Sequence, residues 1–143
     1  YDLGSGAKLT VLAPLQDYDD LNNYSVVCRL DCGETSFLFT GDAEKQVEQD
    51  LISEGTQLQA DVLKAGHHGS NTSSKKTFLN AVHPTLALIT CDQTEKAGEP
   101  NAKVVARLEE LGIPYLRTDL CGVISVYTDG EDIAVTTERE DAA

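Results

Sequence analysis

Apolar and polar positions along the chain form short runs whose period switches between two and about 3.6 residues. Residues 8–13 read as a strand that Pro14 stops, and 16–23 are polar, acidic and loop-like. Residues 24–30 are β-branched and apolar, and Asp31-Cys32-Gly33-Glu34 turns them into 35–40, which predicts a hairpin. After Gly41-Asp42 the period lengthens: Val47, Leu51 and Ile52 share a helical face, with Gly55 as the stop. A short strand at 62–65 precedes a helix at 75–82 that turns Phe78, Leu79 and Val82 inward and ends at His83-Pro84. Residues 85–91 are a continuous apolar run of the kind buried on both sheet faces. A polar loop at 92–100 leads to a helix at 102–111 with Val104, Val105, Leu108 and Leu111 inward and Gly112 behind it. Strands are predicted at 113–117, 123–127 and 133–137, and the last six residues are polar.

This order, with helices spaced between strands and strands alone at the end, predicts an α/β layered domain with a mixed sheet. A chain of 143 residues is long enough for one core. No apolar run reaches the roughly 20 residues a membrane span needs, and no leader-like segment opens the chain. The chain starts on Tyr1-Asp2-Leu3-Gly4 and contains no Met, which suggests a piece of a longer product. The net charge of −13 argues against a broad basic face for gripping nucleic acid. It leaves room for nucleic acid approached through bound cations. Cys28, Cys32, Cys91 and Cys121 have no CxxC spacing; Cys28 and Cys121 read as small buried hydrophobes, and the pairing state stays open.

Candidate chemistry gathers at two strand tips. The run at 62–65 ends in Gly66 and delivers His67 and His68, while Phe37-Leu38-Phe39-Thr40-Gly41 delivers Asp42. Adjacent imidazoles leaving an extended loop diverge, so one can face a metal while the other moves a proton. The plain alternative is that both bond loop backbone. Asp42 is either a hard oxygen ligand or the cap of the following helix. Ser70, Thr72 and Ser73 precede a helix and could hold a phosphate, although one hydroxyl of this group, or Ser74, could simply cap it. Asp92, Glu95, Glu99 and Asp119 are loop acids of the kind that usually face solvent, and His83 reads as structural.

Together these stretches resemble the C-terminal half of a metallo-β-lactamase fold, most of all the hydrolase domain of the ComEC-type DNA-uptake channel proteins and its free-standing relatives. The residues that carry the likeness are Asn23-Tyr24-Ser25-Val26-Val27, Phe37 through Asp42, Ala60-Asp61-Val62-Leu63-Lys64, His67-His68-Gly69-Ser70 with Thr72-Ser73-Ser74, Tyr115-Leu116-Arg117-Thr118-Asp119 and Gly122-Val123-Ile124. The resemblance implies an αββα sandwich and a hydrolase that uses metal-activated hydroxide, with zinc or manganese in a binuclear site. It implies that Asp42 is the metal aspartate and that His67 and His68 are metal or catalytic ligands. Its implied substrate is a phosphodiester such as single-stranded DNA, with a small-molecule ester or lactone, or a metal-free binding module, as alternatives. It further implies a membrane-channel partner domain and an extracytoplasmic or secreted setting. Two departures stand out: the HxHxDH signature does not occur in this sequence, and Ala97-Gly98-Glu99-Pro100 stands where relatives often carry Gly-His-Pro. The expectation is therefore that residues 1–143 are half of the domain and little active alone, with Glu99 either a substitute oxygen ligand or a position that does not touch the metal.

Overall fold

A computed structural model describes residues 1–92 and 98–140. Seven strands form one sheet in sequential order: β1 (Asp2–Gly4), β2 (Ala7–Ala13), β3 (Val27–Cys32), β4 (Thr35–Phe39), β5 (Val62–Lys64), β6 (Leu86–Ile89) and β7 (Tyr115–Arg117). The first four pair antiparallel and the rest parallel, so the sheet is mixed, as predicted. The switch coincides with the helices, because a parallel connection needs a crossover longer than a tight turn. These crossovers hold α1 (Lys45–Ser53), α2 (Lys76–Val82) and α3 (Ala102–Glu110). A short α4 (Thr118–Cys121) precedes the separate hairpin β8 (Ile124–Thr128) and β9 (Ile133–Thr137). Thr35 Oγ1 and Thr128 Oγ1, 2.8 Å apart, tie that hairpin to the β3–β4 turn.

One core joins the sheet to the three helices. Val27, Leu38, Leu63, Ala87 and Ile89 meet Val47, Leu51, Phe78, Leu79, Val82, Val104 and Leu108. On the opposite sheet face Val11 and Phe39 stay exposed. Several boundaries differ from the sequence reading. Residues 21–24 form a 3-10 turn, opened by Asp20, whose carboxylate accepts from Asn22 N, so β3 begins only at Val27. Ile52 faces solvent because it lies about 100° around the helix from the buried Leu51. Glu44, two residues after Asp42, occupies the α1 cap position, so Asp42 is not that cap. Glu95 lies outside the described residues, as does Ala97 of the Gly98-Glu99-Pro100 segment.

Candidate metal centre

The parallel strands β4 and β5 lie side by side, with Phe39 opposite Lys64, so the residues after them emerge at one edge. That edge is where open α/β sheets place ligands. Behind β4, Gly41 turns with φ of 53° and Asp42 N donates to Ser25 Oγ at 2.9 Å. Behind β5 the chain leaves the extended conformation altogether. His67, His68 and Gly69 all have positive φ, at 46°, 53° and 80°. Two successive left-handed non-glycine residues are uncommon, and such backbone gathers at functional sites. The predicted extended histidine loop is thus a tight turn.

This turn is packed onto the Asp42 side. His67 N donates to Gly41 O at 2.9 Å, Ser73 Oγ to Ala43 O at 2.7 Å, and Lys45 N to Thr72 O at 3.0 Å. Gly66 permits the approach, because a Cβ there would stand 2.9 Å from the Ser73 Cβ and 3.2 Å from the Ala43 carbonyl.

The two imidazoles separate, their centroids 6.3 Å apart and their planes at 66°. His68 Nε2 lies 3.9 Å from Asp42 Oδ1. Its Nδ1 lies 2.7 Å from Thr90 O, and since a carbonyl only accepts, Nδ1 carries the proton. In the neutral ring Nε2 then holds the lone pair, on the Asp42 side. A backbone carbonyl fixing the tautomer in this way is the usual support of a metal-ligating histidine. His67 turns elsewhere: its Nδ1 lies 3.4 Å from Glu44 Oε1 and 3.5 Å from Thr72 Oγ1. Glu44 is itself held, its N on Asn23 Oδ1 at 3.0 Å and its Oε1 taking Asn22 Nδ2 at 3.3 Å.

Of the three predicted hydroxyls, Thr72 is exposed beside His67. Ser70 is buried, with its Oγ accepting from Thr72 Oγ1 at 3.1 Å. Ser73 is fully buried and engaged with Ala43, so of these three only Thr72 offers a hydroxyl at the rim. Asp119 is not drawn to this edge group; Arg117 grips it through Nε at 2.9 Å and Nη2 at 2.6 Å and holds its carboxyl below the usual range. Glu44 was missed by sequence reasoning. Its signal was the spacing of two from Asp42, which keeps both carboxylates at one strand tip. Lys64 was missed too: burial pushes its ammonium down while the Asp42 charge pulls it back up.

One carboxylate oxygen and one imidazole nitrogen with a fixed lone pair are suitable donors for zinc or manganese. They are two donors, and among the described residues no group of three His, Cys, Asp or Glu side chains converges. Glu99 does not complete a group of three, although its Oε2 is buried without a hydrogen-bond partner. Its neighbours pack on the histidine turn, where Asn101 N donates to Gly69 O at 2.9 Å and a Cβ on Gly69 would meet Pro100. The donor set fits part of a metal site.

The family model described as Metallo-beta-lactamase superfamily matches residues 11–91, more than half of the chain, and the chain belongs to that superfamily. Among curated relatives, it is 37% identical over 115 residues to ComE operon protein 3 of Bacillus subtilis (strain 168), covering 80% of this chain and 15% of that protein. It is 41% identical over 106 residues to Competence protein ComA of Neisseria gonorrhoeae, covering 73% and 15%. It is 33% identical over 137 residues to the Uncharacterized protein YcaI of Escherichia coli (strain K12), covering 94% and 18%. The chain spans less than a fifth of the length of these relatives.

Proposed function

We propose that this chain carries one half of the metal site of a phosphodiester hydrolase that works in DNA uptake. The observation that carries the reading is His68 Nε2, its lone pair fixed by Thr90 O, 3.9 Å from Asp42 Oδ1 at adjoining strand tips. The name Competence protein ComA of one relative supports the setting, and the exposed Val11 and Phe39 face offers a second sheet layer a place to pack. In this proposal the HxHxDH-bearing half of the domain supplies the remaining ligands, a channel domain accompanies it, and the domain lies outside the cytoplasm.

Asp42 and His68 would hold zinc or manganese, with Glu99 as a further oxygen. When bound, such a cation lowers the pKa of water and polarises a phosphoryl oxygen. His67, beside Glu44 and Thr72, would exchange a proton with the reacting oxygen, and Thr72 would donate to a non-bridging phosphate oxygen. The net charge of −13 disfavours gripping a duplex and favours a single-strand end. The second reading, a metal-free binding module, draws on the two-donor cluster and on Glu99 at the Gly-His-Pro position.

The test is elemental analysis and phosphodiester turnover on a longer polypeptide that adds the HxHxDH half, beside its Asp42→Ala and His68→Ala variants. The proposal expects two equivalents of zinc or manganese and single-strand cleavage, with both lost in the variants. Cleavage of lactones or small esters alone would move the substrate class. No metal in any form would favour the binding module.

A further inference from the structure

The segment from Asn71 to Lys75, between the histidine turn and α2, belongs to no ladder, so its backbone groups need outside partners. Two side chains from different helices partner four of them. Glu48 of α1, only 3% exposed, accepts from Lys75 N at 3.0 Å and from Ser74 N. Arg107 of α3 donates through Nη1 to Ser73 O at 3.2 Å and Ser74 O at 3.3 Å, and through Nη2 to Asn71 Oδ1. One carboxylate thus takes two N–H groups of the segment, and one guanidinium takes two of its carbonyls and the Asn71 side-chain oxygen. The planar fork reaches these acceptors from two nitrogens held in one plane, whereas an ammonium donates from a single point.

The segment reaches the site through Thr72. Its O accepts from Lys45 N, next to Glu44, and its Oγ1 lies between Ser70 Oγ and His67 Nδ1. We infer that Glu48 and Arg107 are positioning residues: clamping the segment from both sides, they place Thr72 against His67 and so set the imidazole of the proposed proton-transfer group. The inference deepens the hydrolase reading and rests on it for the meaning of His67. A merely structural pair would stabilise the helices without fixing the His67 ring.

The three histidines make the test direct. His67 and His68 sit at the turn, and His83, at the far end of α2, serves as internal reference. Imidazole nitrogen and carbon resonances of the metal-free chain are recorded at pH 8 for Arg107→Lys, Glu48→Gln and the gentler Asn71→Ala. Val104→Ala, on the same helix, serves as the stability control. The expected result is that His67 shifts and broadens in all three, His83 stays, and Val104→Ala leaves His67 unchanged. Restoring the contact by Asn71→Asp, which keeps an acceptor for Arg107, returns the His67 signal to its native position. An unmoved His67 in Asn71→Ala and Arg107→Lys would overturn the inference, as would an equal shift in Val104→Ala. No metal is present, so failure of the metal reading leaves this result intact, and failure here leaves Asp42 and His68 untouched.

Discussion

Glu48 makes an otherwise invisible term in stability measurable. Burial is the largest influence on its carboxyl and outweighs the backbone N–H groups of Lys75 and Ser74 and the charges of Lys75 and Arg107, so its pKa rises from 4.5 to about 7. A carboxyl whose folded pKa is raised contributes stability that is fully present below its unfolded pKa and is lost as pH climbs through the folded value. The window therefore runs from about pH 4.5 to about pH 7. At about 1.4 kcal/mol per pH unit, the loss amounts to roughly 3 kcal/mol, a sizeable share of a domain's total. Glu48→Gln removes the titration and costs a roughly constant amount at every pH. Urea unfolding of both proteins between pH 4 and pH 8 isolates the effect, since the two differ only at this side chain. The difference between wild type and variant should favour the wild type most near pH 4 and shrink by roughly 3 kcal/mol by pH 8. Parallel stability profiles, the mark of an unshifted carboxyl, would refute the reasoning, as would a difference growing with pH, the mark of a lowered one.

Other expectations rest on single residues. Phe78, 1% exposed beneath the sheet, should cost about 3–5 kcal/mol when changed to Ala, read from urea midpoints at constant slope. The Cys91 thiol is pushed up to about 11, first by burial and then by the Asp119 carboxylate that its Sγ meets at 3.2 Å. About one molecule in a thousand is then thiolate at pH 8. Alkylation at Cys91, followed by peptide mass spectrometry, should be slow and should quicken in Asp119→Asn; an unchanged rate would contradict the assignment.

The order of elements was legible because each crossover changes the apolar pattern, from short apolar runs such as Phe37-Leu38-Phe39 to the helical spacing of Val47 and Leu51. The two strand tips were legible as well, since Gly41-Asp42 and Gly66-His67-His68 end apolar runs abruptly. What the sequence did not reveal is which imidazole faces Asp42. That follows from two consecutive left-handed residues, a conformation histidine adopts only when surrounding contacts impose it, here the Gly41 carbonyl and the Thr90 carbonyl. The hydroxyl cluster misled in a similar way: Ser73 carries the same group as Thr72, yet packing against Ala43 buries it. Glu44 escaped notice because its partners, Asn22 and Asn23, lie some twenty residues away, in a turn that apolar patterning cannot detect.

Manganese titration of the chain, followed by paramagnetic broadening of its amide and imidazole resonances, tests the central claim most directly. Weak binding by two donors is enough for the readout. Broadening should begin at Asp42 and His68, spread next to His67 and Gly69, and disappear in Asp42→Asn while His83 stays sharp throughout. Broadening that begins at the acidic run Asp17, Asp19 and Asp20 and is unaffected by Asp42→Asn would contradict a metal pair at the strand tips.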